Sequence, residues 1–255
     1  MSLYTPDRPI RLSTGVFTDE ELDYFDSLGP DYFPSEETHP VGESSWHYLS
    51  IKLAFELLER VFPEPSDVLI SANQFIYWDR QQKGLVTGPD LFVVKGVGRR
   101  PRSVYKTWEE GDKTPDVVFE FASEETWRND LSDKKTLFEK TLRISEYFLF
   151  DPMEGLYPEK LLGYRLIGGV YQRIEMQSGH LYSEELELEL LVSGRYLRFF
   201  DPKLGELIPT AAEIELARRK AELARQQEAE ARQQAELEVA RLRAELVALR
   251  NRVTQ

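Results

Sequence analysis

The C-terminal part of the chain contains no helix breaker, and this feature constrains the fold more than any other. Gly205 and Pro209 are the last glycine and proline, and residues 211–255 consist mainly of Ala, Glu, Arg, Gln and Leu, which are strong helix formers. A helix of this length would reach about 65 Å at 1.5 Å per residue, too long to fold back on a small domain. We therefore predict a folded domain over residues 1–209 and a helical tail over residues 210–255.

The apolar residues of the tail form an uneven stripe. Near its end they recur at intervals of 4, 3 and 4 positions, the spacing of a coiled-coil seam. These residues are Leu242, Leu246, Leu249 and Val253. Leu216 and Leu223 are seven apart, but only alanines are apolar between residues 224 and 235. The tail is therefore either an arm that joins copies of the chain into a homo-oligomer or a solvated single helix, and the sequence leaves both open.

Composition excludes several classes of protein. The chain has no cysteine, which rules out a disulfide scaffold, a cysteine-ligated metal site and a cysteine nucleophile and is compatible with a reducing cytoplasm. It has no run of about 20 apolar residues that could span a membrane, and its start lacks the apolar core of a signal peptide. We therefore expect a cytoplasmic protein that has no membrane partner.

Negative charge is concentrated in the predicted folded domain. Residues 211–255 contain 8 acidic and 9 basic side chains, which leaves residues 1–210 with 37 and 23 and a net charge of −14. Such a domain repels a polyanion on average, so nucleic-acid binding would require a local basic patch or a metal ion. A solvated loop is the alternative to a candidate patch that contacts phosphates. The patch is interleaved with Tyr105 and Trp108. Its basic residues are Arg99, Arg100, Arg102 and Lys106.

The predicted folded domain combines helical and extended segments. Helices are predicted over residues 18–28, where Thr18 and Glu21 form a capping box, and over residues 44–62 and 130–142. The helix over 44–62 should bury one stripe, made of Trp46, Leu49, Leu53, Leu57 and Val61. Extended runs occupy residues 68–78, 90–95, 116–122, 146–150 and, as a hairpin around two glycines, 161–174. This order predicts an α/β or α+β fold in which helices flank a central mixed sheet.

The strand predicted over residues 116–122 carries an acidic residue in an apolar setting. Val117, Phe119 and Phe121 occupy one side of it, so Glu120 lies on the other side between Val118 and Ala122. A buried carboxylate requires a cation, a metal ion or a raised pKa. Glu120 is therefore a metal-binding or acid–base group, or else it belongs to a structural ion pair or a water-facing sheet edge.

Two acidic residues could accompany Glu120. Asp116 is on the same side of the strand but about 13 Å away, too far to share one ion. Asp90 opens an extended run that could pair beside the strand, which would bring two carboxylates within reach of one cation. Lys134 lies in the first turns of the next helix, for which Asp130 is a plausible N-cap, and could point back at Glu120. The alternative for Lys134 is an ordinary solvent-facing lysine.

Taken together, these residues resemble the Uma-two family of restriction-endonuclease-like proteins, which is placed in the PD-(D/E)XK nuclease superfamily. The resemblance rests on the run GPDLFVVKGV, on the segment from SVYKTWEEGDKTPDVVFEFAS to SEYFLFDP, and on the helical tail, and it covers about residues 28–255. The matching positions are Pro89-Asp90, Pro115-Asp116, Glu120, Ser123, Asp130, Lys134, Phe138, Glu146-Tyr147-Phe148 and Asp151-Pro152.

The resemblance implies a restriction-endonuclease-like core that binds Mg²⁺ (or Mn²⁺) through Asp90 and Glu120 and hydrolyses phosphodiester bonds of DNA. Ala122 stands where the superfamily pattern has a lysine, so the catalytic lysine would be Lys134. Possible supporting residues are Glu43, His47, Asp116 and Asp130. Glu43 could instead cap the helix over 44–62. Two alternatives remain. One is a catalytically silent module that binds nucleic acid or has a regulatory role, and the other is an assembly protein that acts through its helix.

Overall fold

The computed structural model describes residues 14–35 and 45–253. The chain has the predicted mixture of helices and mixed β-sheet, and it divides into two units, Met1–Ile208 and Pro209–Gln255. The helices are α1 (Asp19–Ser27), α2 (Ser45–Val61), α3 (Trp127–Leu131), α4 (Asp133–Leu137) and α5 (Ala211–Val253). The strands up to the middle of the chain are β1 (Val68–Ala72), β2 (Ile76–Tyr77), β3 (Val86–Thr87), β4 (Leu91–Lys95), β5 (Tyr105–Lys106), β6 (Val117–Phe121) and β7 (Glu146–Phe150). The others are β8 (Leu161–Ile167), β9 (Val170–Arg173), β10 (His180–Ser183), β11 (Leu188–Ser193), β12 (Tyr196–Asp201) and β13 (Glu206–Leu207).

A six-stranded sheet in the order β1-β4-β6-β7-β8-β9 forms the centre of the first unit. Its neighbouring strands are antiparallel except β6 and β7, which run parallel. All five residues of β6 are buried, because apolar clusters cover both faces of this interior strand. Val117, Phe119 and Phe121 lie in the cluster that includes residues of α2, β11 and β12. Val118 lies in the opposite cluster, so the alternation predicted for this strand is confirmed.

Two smaller sheets complete the unit. An antiparallel sheet in the order β10-β11-β12-β13 contributes Leu190 and Phe199 to the cluster that also contains Phe119. A three-stranded sheet in the order β3-β2-β5 packs with α1 around Phe25 and Tyr77. The main sheet is therefore covered on both faces, and a polar side chain on β6 can remain only where it finds polar partners.

The capping box predicted at the start of α1 is confirmed. The backbone N–H of Glu21 donates to Thr18 Oγ1 at 3.3 Å, and the backbone N–H of Thr18 donates to Glu21 Oε2 at 2.7 Å. The hairpin of β8 and β9 also has its turn at the two predicted glycines, Gly168 and Gly169, which both have positive φ. These signals act over three or four residues, which explains why they were accessible in the sequence.

The buried face predicted for α2 is wrong at the start of the helix, whereas Leu57 is buried as predicted and Leu53 and Val61 pack against the core. Trp46 and Leu49 are 37% and 40% exposed, and the ring of Trp46 lies beneath the guanidinium group of Arg195. The buried residues of the helix are His47, Ser50, Ile51, Ala54, Leu57 and Leu58. Apolar residues occupy more than one side of α2, so its own periodicity does not decide which side meets the sheet.

Two predicted elements are interrupted. The extended run over 68–78 is divided between β1 and β2, with Asn73 in the left-handed region at φ 49°, a conformation that asparagine tolerates. The helix predicted over 130–142 begins earlier, at Trp127, breaks at Ser132, and ends in a π-helical turn over Phe138–Leu142. Asp130 is therefore not an N-cap but a buried residue inside α3. Among the described residues, no helix combines the length and the apolar composition needed to cross a membrane.

Candidate active site

Asp90 and Glu120 meet where β4 and β6 are neighbours. The antiparallel register pairs Leu91 with Phe119, which places the residue before β4 beside the fourth residue of β6. The backbone N–H of Asp90 donates to Glu120 Oε2 at 3.3 Å, and the backbone N–H of Phe121 donates to Asp90 Oδ2 at 2.7 Å. The sheet itself therefore brings these two carboxylates together.

Glu120 is deeply buried at this site. Its residue is 1% exposed, and burial raises the pKa of its carboxyl group well above the ordinary value. The positive charge of Lys134 opposes this rise, whereas Asp90 and Asp130 add to it. A carboxylate in this position is costly unless a cation is close.

Lys134 supplies such a cation from α4. Its Nζ atom lies 3.0 Å from Glu120 Oε1 and 3.5 Å from Asp130 Oδ1, and its side chain is 17% exposed. Nζ also donates to the carbonyl oxygen of Gly88 at 3.4 Å. Burial alone lowers the pKa of Lys134, but Glu120, Asp130 and Asp90 outweigh burial and raise it. Lys134 is therefore held as an ammonium group between buried carboxylates.

Asp130 is fixed by two tyrosines. Tyr157 Oη donates to Asp130 Oδ2 at 2.8 Å, and Tyr147 Oη donates to the backbone carbonyl oxygen of Asp130 at 3.0 Å. Asp130 is 1% exposed, and burial raises the pKa of its carboxyl group against the opposing effect of Lys134 and the Tyr157 hydrogen bond. The result is a buried chain of polar contacts from Tyr157 through Asp130 and Lys134 to Glu120.

Tyr157 is the site residue that sequence reasoning missed. It lies on the connection between β7 and β8, and Asp151 at the start of that connection is fully buried. Asp151 accepts hydrogen bonds from the backbone N–H groups of Met153, Glu154, Leu156 and Tyr157. The Asp-Pro pair at 151–152 was the signal that could have indicated an organised loop.

His47 approaches the site from α2. Its Nε2 atom lies 3.1 Å from Asp90 Oδ2, and the residue is 4% exposed. The contact joins two residues that are 43 positions apart in the chain. Glu43, the other upstream residue proposed to support the site, lies outside the described residues.

Asp116 does not join the cluster. Its Oδ2 atom accepts a hydrogen bond from the backbone N–H of Lys95 at 2.6 Å, and burial raises the pKa of its carboxyl group. Lys95 is the last residue of β4, whereas Asp90 precedes that strand. The carboxylates of Asp116 and Asp90 are therefore separated by the length of β4, about 14 Å. Asp116 therefore caps the opposite end of the strand.

Arg99, the first residue of the basic cluster, lies at the far end of β4. Arg99 donates to the backbone carbonyl oxygens of Val68 and Phe62, and Val68 is paired with Lys95 at that end. The basic residues of the cluster are engaged with neighbouring carboxylates. The pairs are Arg99–Glu59, Arg100–Glu110, Arg102–Glu110 and Lys106–Glu109. Among the described residues, these four side chains pair with Glu59, Glu109 and Glu110 and make no ion pair with Asp90 or Glu120.

The donor chemistry of the site fits a hard divalent cation. Asp90 and Glu120 offer carboxylate oxygens, and the contact that holds Glu120 Oε1 is the one with Lys134 Nζ at 3.0 Å. No group of three or more His, Asp or Glu residues in 14–35 and 45–253 is arranged to hold a metal ion. Mg²⁺ often binds through only one or two carboxylates and keeps several waters, so a two-carboxylate site suits it.

Comparisons with known proteins give a matching sequence family and a similar solved structure. The sequence model of the Uma2 family, described as "Putative restriction endonuclease", matches residues 36–198, which is more than half of the chain. No curated protein matches the sequence. A similar solved structure is that of "a putative nuclease belonging to DUF820 from Anabaena variabilis ATCC 29413". The two chains are 13% identical, and the match covers 58% of this chain and 76% of that chain with a TM-score of 0.42.

Proposed function

This chain belongs to the Uma2 family, the Uma-two family of restriction-endonuclease-like proteins, and from that premise we propose that it is a metal-dependent endonuclease that hydrolyses phosphodiester bonds of DNA. The observation that carries the proposal is the convergence of Asp90, Glu120 and Lys134 from two adjacent strands and a helix. The three groups combine two potential metal ligands with a fixed ammonium group, which is the set that metal-assisted phosphodiester hydrolysis requires.

In this proposal Asp90 and Glu120 hold Mg²⁺ or Mn²⁺, and the other residues keep them in place. The cation, when bound, supplies stabilisation of the negative charge that develops on the scissile phosphate. The Phe121 N–H and His47 orient the Asp90 carboxylate. Lys134 presents its ammonium group at the same point, where it can hold the attacking water or a phosphate oxygen by charge-assisted hydrogen bonds.

Asp130 acts as a positioning residue in this arrangement. Its carboxylate lies 3.5 Å from Lys134 Nζ and is itself held by the hydroxyl of Tyr157. Lys134 therefore keeps a second counter-ion if Glu120 turns towards a cation. A lysine held in this way loses little side-chain freedom when substrate binds, which favours the productive geometry.

The proposed assay measures nicking and linearisation of supercoiled DNA with Mg²⁺, with Mn²⁺ and with a chelator. Wild-type protein should cleave only with the cation. Glu120→Gln should reduce cleavage by at least about 100-fold, the upper end of what the loss of a supporting partner at a metal site costs. Glu125→Gln, which changes an exposed carboxylate five positions away, should retain full activity.

Cleavage by Glu120→Gln at the wild-type rate would contradict the proposal, as would cleavage in the presence of the chelator. Single-stranded DNA and RNA should be compared in the same assay, because the described site does not by itself distinguish these polyanions. The rate with each substrate must be measured at a stated salt concentration, since phosphate binding weakens steeply with salt.

A catalytically silent module that binds or regulates nucleic acid is the second candidate. The observation that favours it is the charge of residues 1–210, −14 in total, together with ion pairs that engage the basic cluster. This candidate predicts no cleavage with either cation, and Glu120→Gln would leave any DNA binding by the wild-type protein unchanged. We take residues 1–209 as the nuclease domain and residues 210–255 as a tail that joins copies of the chain.

A further inference from the structure

The helix α5 carries exposed apolar residues near the end of its described side chains. All described side chains of α5 are exposed, including the apolar residues Val239, Leu242 and Leu246 at 47%, 49% and 67%. With Val239 assigned to heptad position a, Leu246 and Val253 also occupy a, and the d positions are Ala235, Leu242 and Leu249. Three consecutive heptads therefore carry an apolar residue at every a and d position, as a coiled-coil seam requires.

The surface of α5 is concave at the start of this stripe. A shallow groove in the helix surface is lined by Arg232, Ala235, Glu236, Val239, Ala240 and Arg243. Within this set, residues 232, 235, 236 and 239 occupy heptad positions a, d, e and a and follow the spacing i, i+3, i+4, i+7. Four residues with that spacing form the hole that accepts an a or d side chain from a facing helix.

The charges beside the stripe identify the occupant. Glu238 and Glu245 occupy g positions, and Arg243 and Arg250 occupy e positions. In a parallel pair of helices each g residue meets the e residue five positions later on the other helix. Glu238 would therefore meet Arg243 of the second copy, and Glu245 would meet Arg250 of the second copy. An antiparallel pair would bring g positions opposite g positions and e positions opposite e positions, so these two Glu–Arg pairs would not form.

We propose that residues 235–253 of α5 bind the same segment of a second copy of this chain as a parallel, in-register, two-stranded coiled coil. The pairing ends near Ala235, because the three a and d positions immediately before it carry charges, as does one a position further back. These charged residues are Arg218, Arg225, Glu228 and Arg232. Leu216, Leu223 and Leu237 all occupy position f, on the opposite side of the helix from the seam. The dimer does not depend on the proposed nuclease activity.

Sedimentation equilibrium of the full chain over a range of concentrations tests the proposal. The wild-type mass should approach twice 29.7 kDa, and Leu242→Lys with Leu246→Lys should give the monomer mass at every concentration. The matched control, Leu216→Lys with Leu223→Lys, changes equally exposed leucines of the same helix and should leave the dimer unchanged. A wild-type monomer throughout, or a control variant that dissociates, would overturn the proposal.

Charge exchange tests the identity of the pairs. Glu238→Arg with Glu245→Arg should weaken dimerisation by about tenfold or more, because attractive contacts on both sides of the seam become repulsive. Adding Arg243→Glu and Arg250→Glu in the same chain should restore it. Failure of the fourfold variant to recover would show that these residues do not face one another.

The absence of cysteine from the chain allows a direct test of orientation. Ala235→Cys places one thiol at the start of the seam, and in a parallel dimer the two thiols are adjacent across the d layer. Mild oxidation should therefore link the dimer almost completely through a disulfide. In an antiparallel dimer the thiols would be separated by about 27 Å or more, and a dimer that does not cross-link would refute the parallel arrangement.

Discussion

Replacing Lys134 by Met should destabilise the folded chain strongly at neutral pH and much less in acid. The substitution keeps the aliphatic part of the side chain but removes the charge that lies 3.0 Å from Glu120 and 3.5 Å from Asp130. Both carboxylates are 1% exposed, so water cannot replace the lost cation. Breaking a buried ion pair from one side costs about 3–5 kcal/mol, a large part of an ordinary stability of about 5–15 kcal/mol.

The pH dependence follows from the directions of the pKa shifts. Burial raises the pKa values of Glu120 and Asp130, and Lys134 holds both of them down, so its removal raises both pKa values further. A carboxyl group with a raised pKa in the folded state stabilises the fold most at pH below its unfolded pKa, and that stabilisation is lost as the pH rises through the folded pKa. The destabilisation by Lys134→Met should therefore shrink as the pH falls.

Urea denaturation followed by fluorescence measures the effect. With a slope of about 2 kcal/mol per molar urea, a loss of 3–5 kcal/mol lowers the midpoint by about 1.5–2.5 M at ~pH 8, and the difference from wild type should fall steadily towards ~pH 5. Lys135→Met is the control. It changes the adjacent lysine, whose ammonium group lies over the ring of Tyr164, and should cost only about 1 kcal/mol or less.

The double variant Glu120→Gln with Lys134→Met separates charge from packing. It removes one buried anion together with the cation, so it should be more stable at neutral pH than Lys134→Met alone. A loss below about 1 kcal/mol in Lys134→Met, or a loss that does not change with pH, would refute the view that Lys134 is the essential counter-ion of this site.

Two further substitutions test the packing around the site. Gly163→Ala should destabilise the fold by about 1–3 kcal/mol, because its new Cβ atom would lie 2.9 Å from the ring of Phe148. Gly98→Ala is the control, because its Cβ atom meets nothing within 4 Å. Thermal denaturation should show that this control is nearly neutral. Tyr157→Phe should cost about 1–3 kcal/mol, because it removes the hydroxyl that donates to the buried carboxylate of Asp130; unchanged stability would show that this hydrogen bond is not needed to hold the site.

Local patterns carried enough information for the elements that contain the site. The alternation of Val117, Phe119 and Phe121 with Val118 and Glu120 predicted a strand with two buried faces, and each of those residues is buried. The capping box of Thr18 and Glu21 is present as predicted. The stretch without Gly or Pro after residue 209 is helical from Ala211 to Val253. Each signal arises between residues a few positions apart, which backbone geometry alone brings together.

The sequence predicted that Asp90 and Glu120 come together, but only the tertiary structure decided the other distant contacts. The Tyr157–Asp130 hydrogen bond joins residues 27 positions apart, and the His47–Asp90 contact joins residues 43 apart. The ion pair of Arg99 with Glu59 spans 40 positions. Such contacts depend on how a helix or loop packs onto a neighbouring strand, and no period of two or 3.6 residues encodes that packing.

The face of α2 shows the same division between sequence and structure. The sequence predicts the helix, but apolar residues on several of its sides allow more than one buried stripe. Packing against the sheet selected the stripe that contains the small residues Ser50 and Ala54, because small side chains allow a helix to approach closely. That choice also turned His47 towards Asp90. The sequence by itself thus determined which segments are helices and strands, whereas the packing of those segments determined which polar groups share the site.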